Sequence, residues 1–240
     1  KNAFISIEDE RFYEHDGIDF KGILRALWTD IRNGSTSQGA STLTQQLIKN
    51  NVFEAGGETN IIAKVKRKIQ EQYLAIIAEK KYNKEDILTN YLNTINLGKG
   101  NLGVEAASKY YFGKSVNELT LSECAVLAGI TKNPTFLNPV DYPEDNDARR
   151  KLILKKMYQL NYISDTEYQS ALEDKVYARI ANKTAQGRKN SVYSYFTDAV
   201  ITKVVSDLQE QKGYTQSQAY QLVYRGGLRI YSTQNTKLQK

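Results

Sequence analysis

From Phe20 to Ile31 the apolar residues Phe20, Ile23, Leu24, Leu27, Trp28 and Ile31 recur at helical spacing, and Gly34 follows as a stop. The spacing predicts a core-facing helix. The polar run 34–39 reads as a loop, after which Ser41 is placed to cap a short helix carrying Leu43, Leu47 and Ile48. Beyond the break at Gly56-Gly57, a long helix is predicted over roughly residues 60–81, with Ile62, Val65, Ile69, Tyr73 and Ile76 as its buried stripe. Its opposite side lines up Lys64, Arg67, Glu71, Ala75 and Ala78, which puts Arg67 and Glu71 one turn apart over small residues that admit a close neighbour.

Later starts are marked by caps: Asn83 before Ile87, Leu88, Tyr91 and Leu92, and the capping boxes Thr120 with Glu123 and Ser164 with Glu167. Helix therefore dominates the first 175 residues, and Pro134, Pro139 and Pro143 are expected in one irregular connection. Residues 181–190 are polar and read as a linker, which sets a domain boundary near residue 180. Two further helical stretches lead to Gly226-Gly227 and the alternating run Leu228-Arg229-Ile230-Tyr231, which predicts a strand.

A chain of 240 residues with 40% hydrophobic and 25% charged residues is long enough for a sizeable core and is not a disordered composition. One Cys and one His leave no intrachain disulfide, no ordinary zinc ligand set, and only His15 as the base of any nucleophile–His–acid triad. Cys124, inside an apolar run, reads as a small core residue. A net charge of +6 favours an anionic partner, whether nucleic acid, a membrane surface or a phosphorylated substrate, although 27 acidic residues interleave with the basic ones. No run reaches the roughly 18 apolar residues of a spanning helix, and no signal peptide opens the chain. The first and last residues suggest a piece of a longer protein, with an anchor expected upstream.

Three clusters carry candidate chemistry. Glu8-Asp9-Glu10-Arg11-Phe12-Tyr13-Glu14-His15 sets paired carboxylates beside aromatics, which suits an acid or base and equally an acidic helix terminus. In Ser41-Thr42-Leu43-Thr44-Gln45-Gln46-Leu47-Ile48-Lys49-Asn50, Thr42, Gln46 and Lys49 share one helical face. That face suits a polyhydroxylated or phosphorylated ligand, or else is the polar side of an amphipathic helix. Arg67, Lys68 and Glu71 form either a surface ion-pair cluster or, facing a cleft, a grip for pyrophosphate.

Together and in this order, these clusters resemble the motifs of the peptidoglycan glycosyltransferase family, family 51. Glu8-Asp9, Phe12, His15 and Gly17 are similar to the first motif. Gly39, Ser41-Thr42-Leu43-Thr44-Gln45-Gln46-Leu47 and Lys49-Asn50 are similar to the second, with Ala40 where the family often has glycine. Arg67-Lys68, Glu71, Ala75 and Glu79 resemble the third. Ile87-Leu88, Tyr91-Leu92-Asn93, Gly98, Gly103, Ala106-Ala107 and Tyr111-Phe112-Gly113 resemble the fourth, and Leu127-Ala128-Gly129 with Pro134, Asn138 and Pro139 the last. The segment from Gly226 through Leu238-Gln239 is similar to the approach to the transpeptidase domain of class A penicillin-binding proteins.

The resemblance implies a mainly α fold: a lysozyme-like helical lobe over residues 1–180 with a smaller membrane-proximal jaw of helices, then a linker segment over 181–240 with a short strand. It implies polymerisation of lipid II with inversion, Glu8 as catalytic base, and Glu71 orienting Arg67 and assisting at the donor side. Asp9, His15, Ser41, Thr42, Gln46, Lys49, Asn50, Arg67 and Lys68 would bind substrate, with a structural duty for His15 an equal alternative. No obligatory cofactor is implied, with a divalent cation such as Mg or Mn as a stimulating ion; Asp9 would either help orient Glu8 or bind such an ion. The expected partners are lipid II, the nascent glycan strand, the membrane surface at the extracytoplasmic face and cell-wall synthesis proteins, with no nucleic acid. For docking to the membrane, residues near Phe20 to Trp28 or Val52-Phe53 are candidates, although core packing explains Trp28 more simply. The rival readings are a lysozyme-like hydrolase, against which the cation cluster argues, and a basic nucleic-acid-binding domain, against which the scattered charge argues.

Overall fold

The computed structural model describes residues 1–33, 39–53, 60–180, 195–214, 219, 222–223, 228 and 230–232. The chain divides into two compact units, Lys1–Ala185 and Gln186–Lys240. The first holds helices α1 (Asn2–Glu8), α2 (Phe20–Asn33), α3 (Leu43–Val52), α4 (Ile61–Lys81), α5 (Lys84–Thr94), α6 (Val104–Phe112), α7 (Leu121–Ile130), α8 (Pro143–Gln159) and α9 (Asp165–Glu173), and residues 176–180 are helical too. In the second unit the described helix is Tyr195–Lys212.

The core is built around α7, which packs against α1, α6, α8 and α9. Its sequence LSECAVLAGI is apolar on every side, and Ala125, Val126, Leu127, Ala128 and Ile130 are all buried, as a central helix requires. The Thr120/Glu123 capping box starts it, and burial raises the pKa of Cys124, which packs at the core's edge. Gly129 lets α8 approach: a Cβ there would stand 3.4 Å from Arg149 Cγ. The expected caps at Asn83 and Ser164/Glu167 also form, and Ile87, Leu88, Tyr91 and Leu92 of α5 are buried.

Several expectations are corrected. The cap of α3 is Thr42, whose side chain accepts from the Gln45 N–H at 3.2 Å, and not Ser41. Pro143 opens α8 instead of lying in the preceding connection, because its fixed φ suits the first helical turn. In α2, Phe20, Leu24 and Trp28 of the expected stripe are exposed, Trp28 at 71%, while Ile23 is half-buried and Ala26 is buried. The side chains of Leu27 and Ile31 lie outside the described residues.

The largest reversal is α4. Ile62, Val65, Ile69 and Tyr73 are exposed, and the buried residues are Glu71 and Ala75 on the opposite face. Gly17 explains the choice: its backbone lies so close to α4 that a Cβ would stand 2.8 Å from the Ala75 carbonyl, and its φ of +90° disfavours any side chain. Only a face of small residues accepts that approach.

The strand predicted at residues 228–231 is not formed at its described residues, Leu228, Ile230 and Tyr231, because a strand needs a ladder partner. Among the described residues the β pairing is an isolated antiparallel bridge, Asn96 with Leu102. The predicted loop at 34–38, the Gly56-Gly57 break, the linker at 181–190 and Gly226-Gly227 lie outside the described residues.

Candidate active site

Helix α1 buries Ala3, Phe4, Ile5 and Ser6, and this packing fixes where its last residue, Glu8, emerges. The Glu8 carboxylate is met from separate elements. Gln46 Nε2 of α3 donates to Oε2 at 2.8 Å, and the Thr131 hydroxyl, at the end of α7, donates to Oε1 at 2.5 Å. The Arg149 guanidinium of α8 stands 3.9 Å from Oε1, and its Nε is buried without a hydrogen-bond partner. Burial lowers the pKa of Arg149, and the Glu8 charge works against that shift. Gln46 is itself held, because the Tyr91 hydroxyl donates to its Oε1 at 3.2 Å. Burial first, then the charges of Glu8 and Asp9, push Tyr91 well above the usual phenol range, so it remains a donor.

Asp9 does a different job. It is 6% exposed, receives His15 Nε2 at 2.9 and 3.0 Å and the Leu43 N–H at 2.9 Å, and so ties the end of α1 to the first turn of α3. His15 Nδ1 accepts from the Gly17 N–H at 3.2 Å, which leaves Nε2 to donate. Thr42 is also buried, and its hydroxyl donates to the Gly17 carbonyl at 2.8 Å. Asp9, His15 and Thr42 therefore form the frame around the 9–17 loop, and their polar atoms are spent on protein.

The cations gather on the far side of α3. Lys68 Nζ donates to Ser41 Oγ at 2.8 Å, Gln45 Oε1 at 3.2 Å and Glu71 Oε2 at 3.2 Å. Arg67 donates to Glu71 Oε1, so both oxygens of this buried carboxylate are taken by cations. Buried Glu79 likewise accepts from Thr44 and from Lys84 Nζ at 2.9 Å, tying α4 to α3 and α5.

Of the residues singled out in the sequence, the structure brings together Glu8 with Gln46, and Ser41 with Arg67, Lys68 and Glu71. Consecutive residues of α3 link the two groups: Gln46 reaches Glu8 and Gln45 reaches Lys68. Thr42 does not share an open face with Gln46 and Lys49; Lys49 is exposed and Asn50 half-buried on α3. Two residues at Glu8, Thr131 and Arg149, are not singled out by the sequence. Tyr91, which holds Gln46, is there a core position and part of the fourth motif, with no role at Glu8. Thr131 directly follows the apolar run of α7 and Arg149 lies in the Arg149-Arg150 pair, but nothing in their spacing points at residue 8.

The donor set around Asp9 does not fit a divalent cation, since such an ion would have to displace the His15 and Leu43 contacts from a carboxylate whose side chain is 2% exposed.

Comparison with known proteins bears on this arrangement. A family model described as Transglycosylase matches residues 1–158. Penicillin-binding protein 1A of Clostridium acetobutylicum is 44% identical over 247 residues, aligning 99% of this chain with 30% of that protein. Penicillin-binding protein 1A of Haemophilus influenzae is 42% identical over 89% of this chain and 24% of its own length. A crystal structure of penicillin-binding protein 1A from Haemophilus influenzae, 36% identical, covers 57% of this chain and 19% of that one with a TM-score of 0.39. The chain thus spans less than a third of the length of these curated relatives.

Proposed function

Because the chain belongs to the transglycosylase family, matched over residues 1–158, we propose that it is a peptidoglycan glycosyltransferase that polymerises lipid II by inverting transfer of the growing strand from its polyprenyl pyrophosphate to an acceptor 4-hydroxyl. The observation that carries this reading is that consecutive residues of α3 reach one carboxylate and one cation cluster: Gln46 meets Glu8 at the end of α1, and Gln45 meets Lys68, beside Arg67 on α4.

A sugar hydroxyl is a poor nucleophile at neutral pH, so a carboxylate must take its proton as the new bond forms. Glu8 takes it. Pyrophosphate departs as an anion and needs positive charge more than a proton donor. Lys68, Arg67 and the exposed Lys49 supply that charge, while Glu71, with both oxygens engaged, positions the two cations beside it. Ser41, Gln46 and Asn50 shape the surroundings of sugar and phosphate. His15, Asp9 and Thr42 hold the frame.

A lipid-borne substrate also requires docking at a bilayer. No helix among the described residues is long and apolar enough to cross a membrane. The exposed apolar residues Phe20, Leu24 and Trp28 of α2, and Ile62, Val65, Ile69 and Tyr73 of α4, suit shallow insertion among headgroups at the extracytoplasmic face.

The test is polymer formation from lipid II by the chain beside a Glu8→Gln variant. The variant is expected to lose roughly 10²- to 10⁴-fold in rate with an unchanged melting temperature. Retained activity in that variant, or wild-type chain that shortens finished glycan without making polymer, overturns the reading.

A further inference from the structure

Glu8 receives one donor on each oxygen, and once it takes a proton it carries an O–H that itself needs an acceptor. One of the two partners then has to turn from donor to acceptor. Gln46 is poorly placed to do so: its amide is fixed at both ends, with Nε2 on Glu8 and Oε1 on the Tyr91 hydroxyl, and turning it would set oxygen against carboxylate. Thr131 is different, because its hydroxyl has one proton and two acceptors within reach, Glu8 Oε1 at 2.5 Å and the Ala128 carbonyl at 2.8 Å.

We infer that Thr131 is a positioning residue whose hydroxyl rotates between Glu8 and the Ala128 carbonyl, which makes Oε1 the oxygen of Glu8 that receives the acceptor's proton. Before transfer the Thr131 proton points to Oε1 and holds the carboxylate in place. As the acceptor oxygen bonds to the anomeric carbon and the pyrophosphate bond breaks, the acceptor proton passes to Oε1. The Thr131 proton then turns to the Ala128 carbonyl, and the Thr131 oxygen accepts from the new Glu8 O–H. No polar group is stranded in either state, at a site where a buried orphan is costly. Arg149, 3.9 Å from the same oxygen, faces the charged form. The Thr131 hydroxyl bonds to Glu8 and the Ala128 carbonyl, so its effect falls on the base.

This inference rests on Glu8 being the base, and the experiment separates the two. Lipid II polymerisation is measured for the wild-type chain, Thr131→Val, Thr131→Ser and Glu8→Gln, with melting temperatures for each. Thr131→Val is expected to lower kcat roughly tenfold or more with KM within about twofold, and Thr131→Ser to recover most of it. If Val disturbs folding, Thr131→Ala replaces it. A Thr131→Val rate like the wild type's beside an inactive Glu8→Gln overturns the role of Thr131 alone, as does a Ser variant no better than Val. An active Glu8→Gln removes the base assignment itself, and the rotor with it.

Discussion

At the scale of single residues, neighbouring carboxylates have opposite fates. Glu8 ends α1 with its oxygens held by side chains from α3 and α7, whereas Asp9 turns inward and closes the frame through His15 and the Leu43 N–H. Replacing Asp9 with Ala strands a ring donor and a backbone donor in a buried place, each costing about 1–3 kcal/mol. Urea unfolding of Asp9→Ala is expected to show a loss of that order, and unchanged stability would mean the frame does not depend on this carboxylate. The sequence placed Glu8 and Asp9 together as one candidate pair. The resemblance gave Glu8 the base's role, but spacing alone could not separate the two, because whether a side chain points out or in depends on the last turn of α1 and on what α3 brings next to it.

At the scale of elements, α4 is the instructive case. Its limits and periodicity were legible, since caps and i, i+4 spacing are local properties of the chain. Its orientation was not. Both stripes could face a core, and the apolar one looked the better candidate, but Ala75 accepts the Gly17 backbone and Glu71 carries two cations with it. The outward stripe has a measurable consequence. The double variant Ile62→Glu, Ile69→Glu is expected to keep the wild-type melting temperature, because both positions are exposed, and to bind vesicles of anionic lipid at least tenfold more weakly. Equal vesicle binding would show that this face does not meet the bilayer.

At the scale of the whole molecule, local ion pairs spread along the first unit set its behaviour in acid. Burial alone would raise Asp19 and Asp147. The Arg11 and Gly22 donors hold Asp19 below the ordinary carboxylate range, and Lys151 with Arg150 does the same for Asp147. The Arg179 guanidinium lowers Asp174. A carboxylate depressed in the folded state adds stability above its unfolded pKa, near 4, and that contribution disappears as the pH falls through the folded value. The melting temperature is therefore expected to hold steady from pH 7 to about 5 and to fall progressively below about 4. An Arg11→Met, Arg179→Met variant should lose less between those limits, although both pairs keep some contact with solvent and the share of each is small. A wild-type melting temperature independent of pH down to 3 would contradict this account. The sequence by itself determined that the chain is helical, where most of its helices start and stop, and which family its motifs resemble. All of these follow from local spacing and from side chains whose order survives without coordinates. Only the tertiary structure decided which stripe of α2 and α4 is buried, that Asp9 and Thr42 are frame and not surface, and that Thr131 and Arg149 meet Glu8. Those choices are made by contacts between residues far apart in the chain, and local spacing carries no information about such contacts.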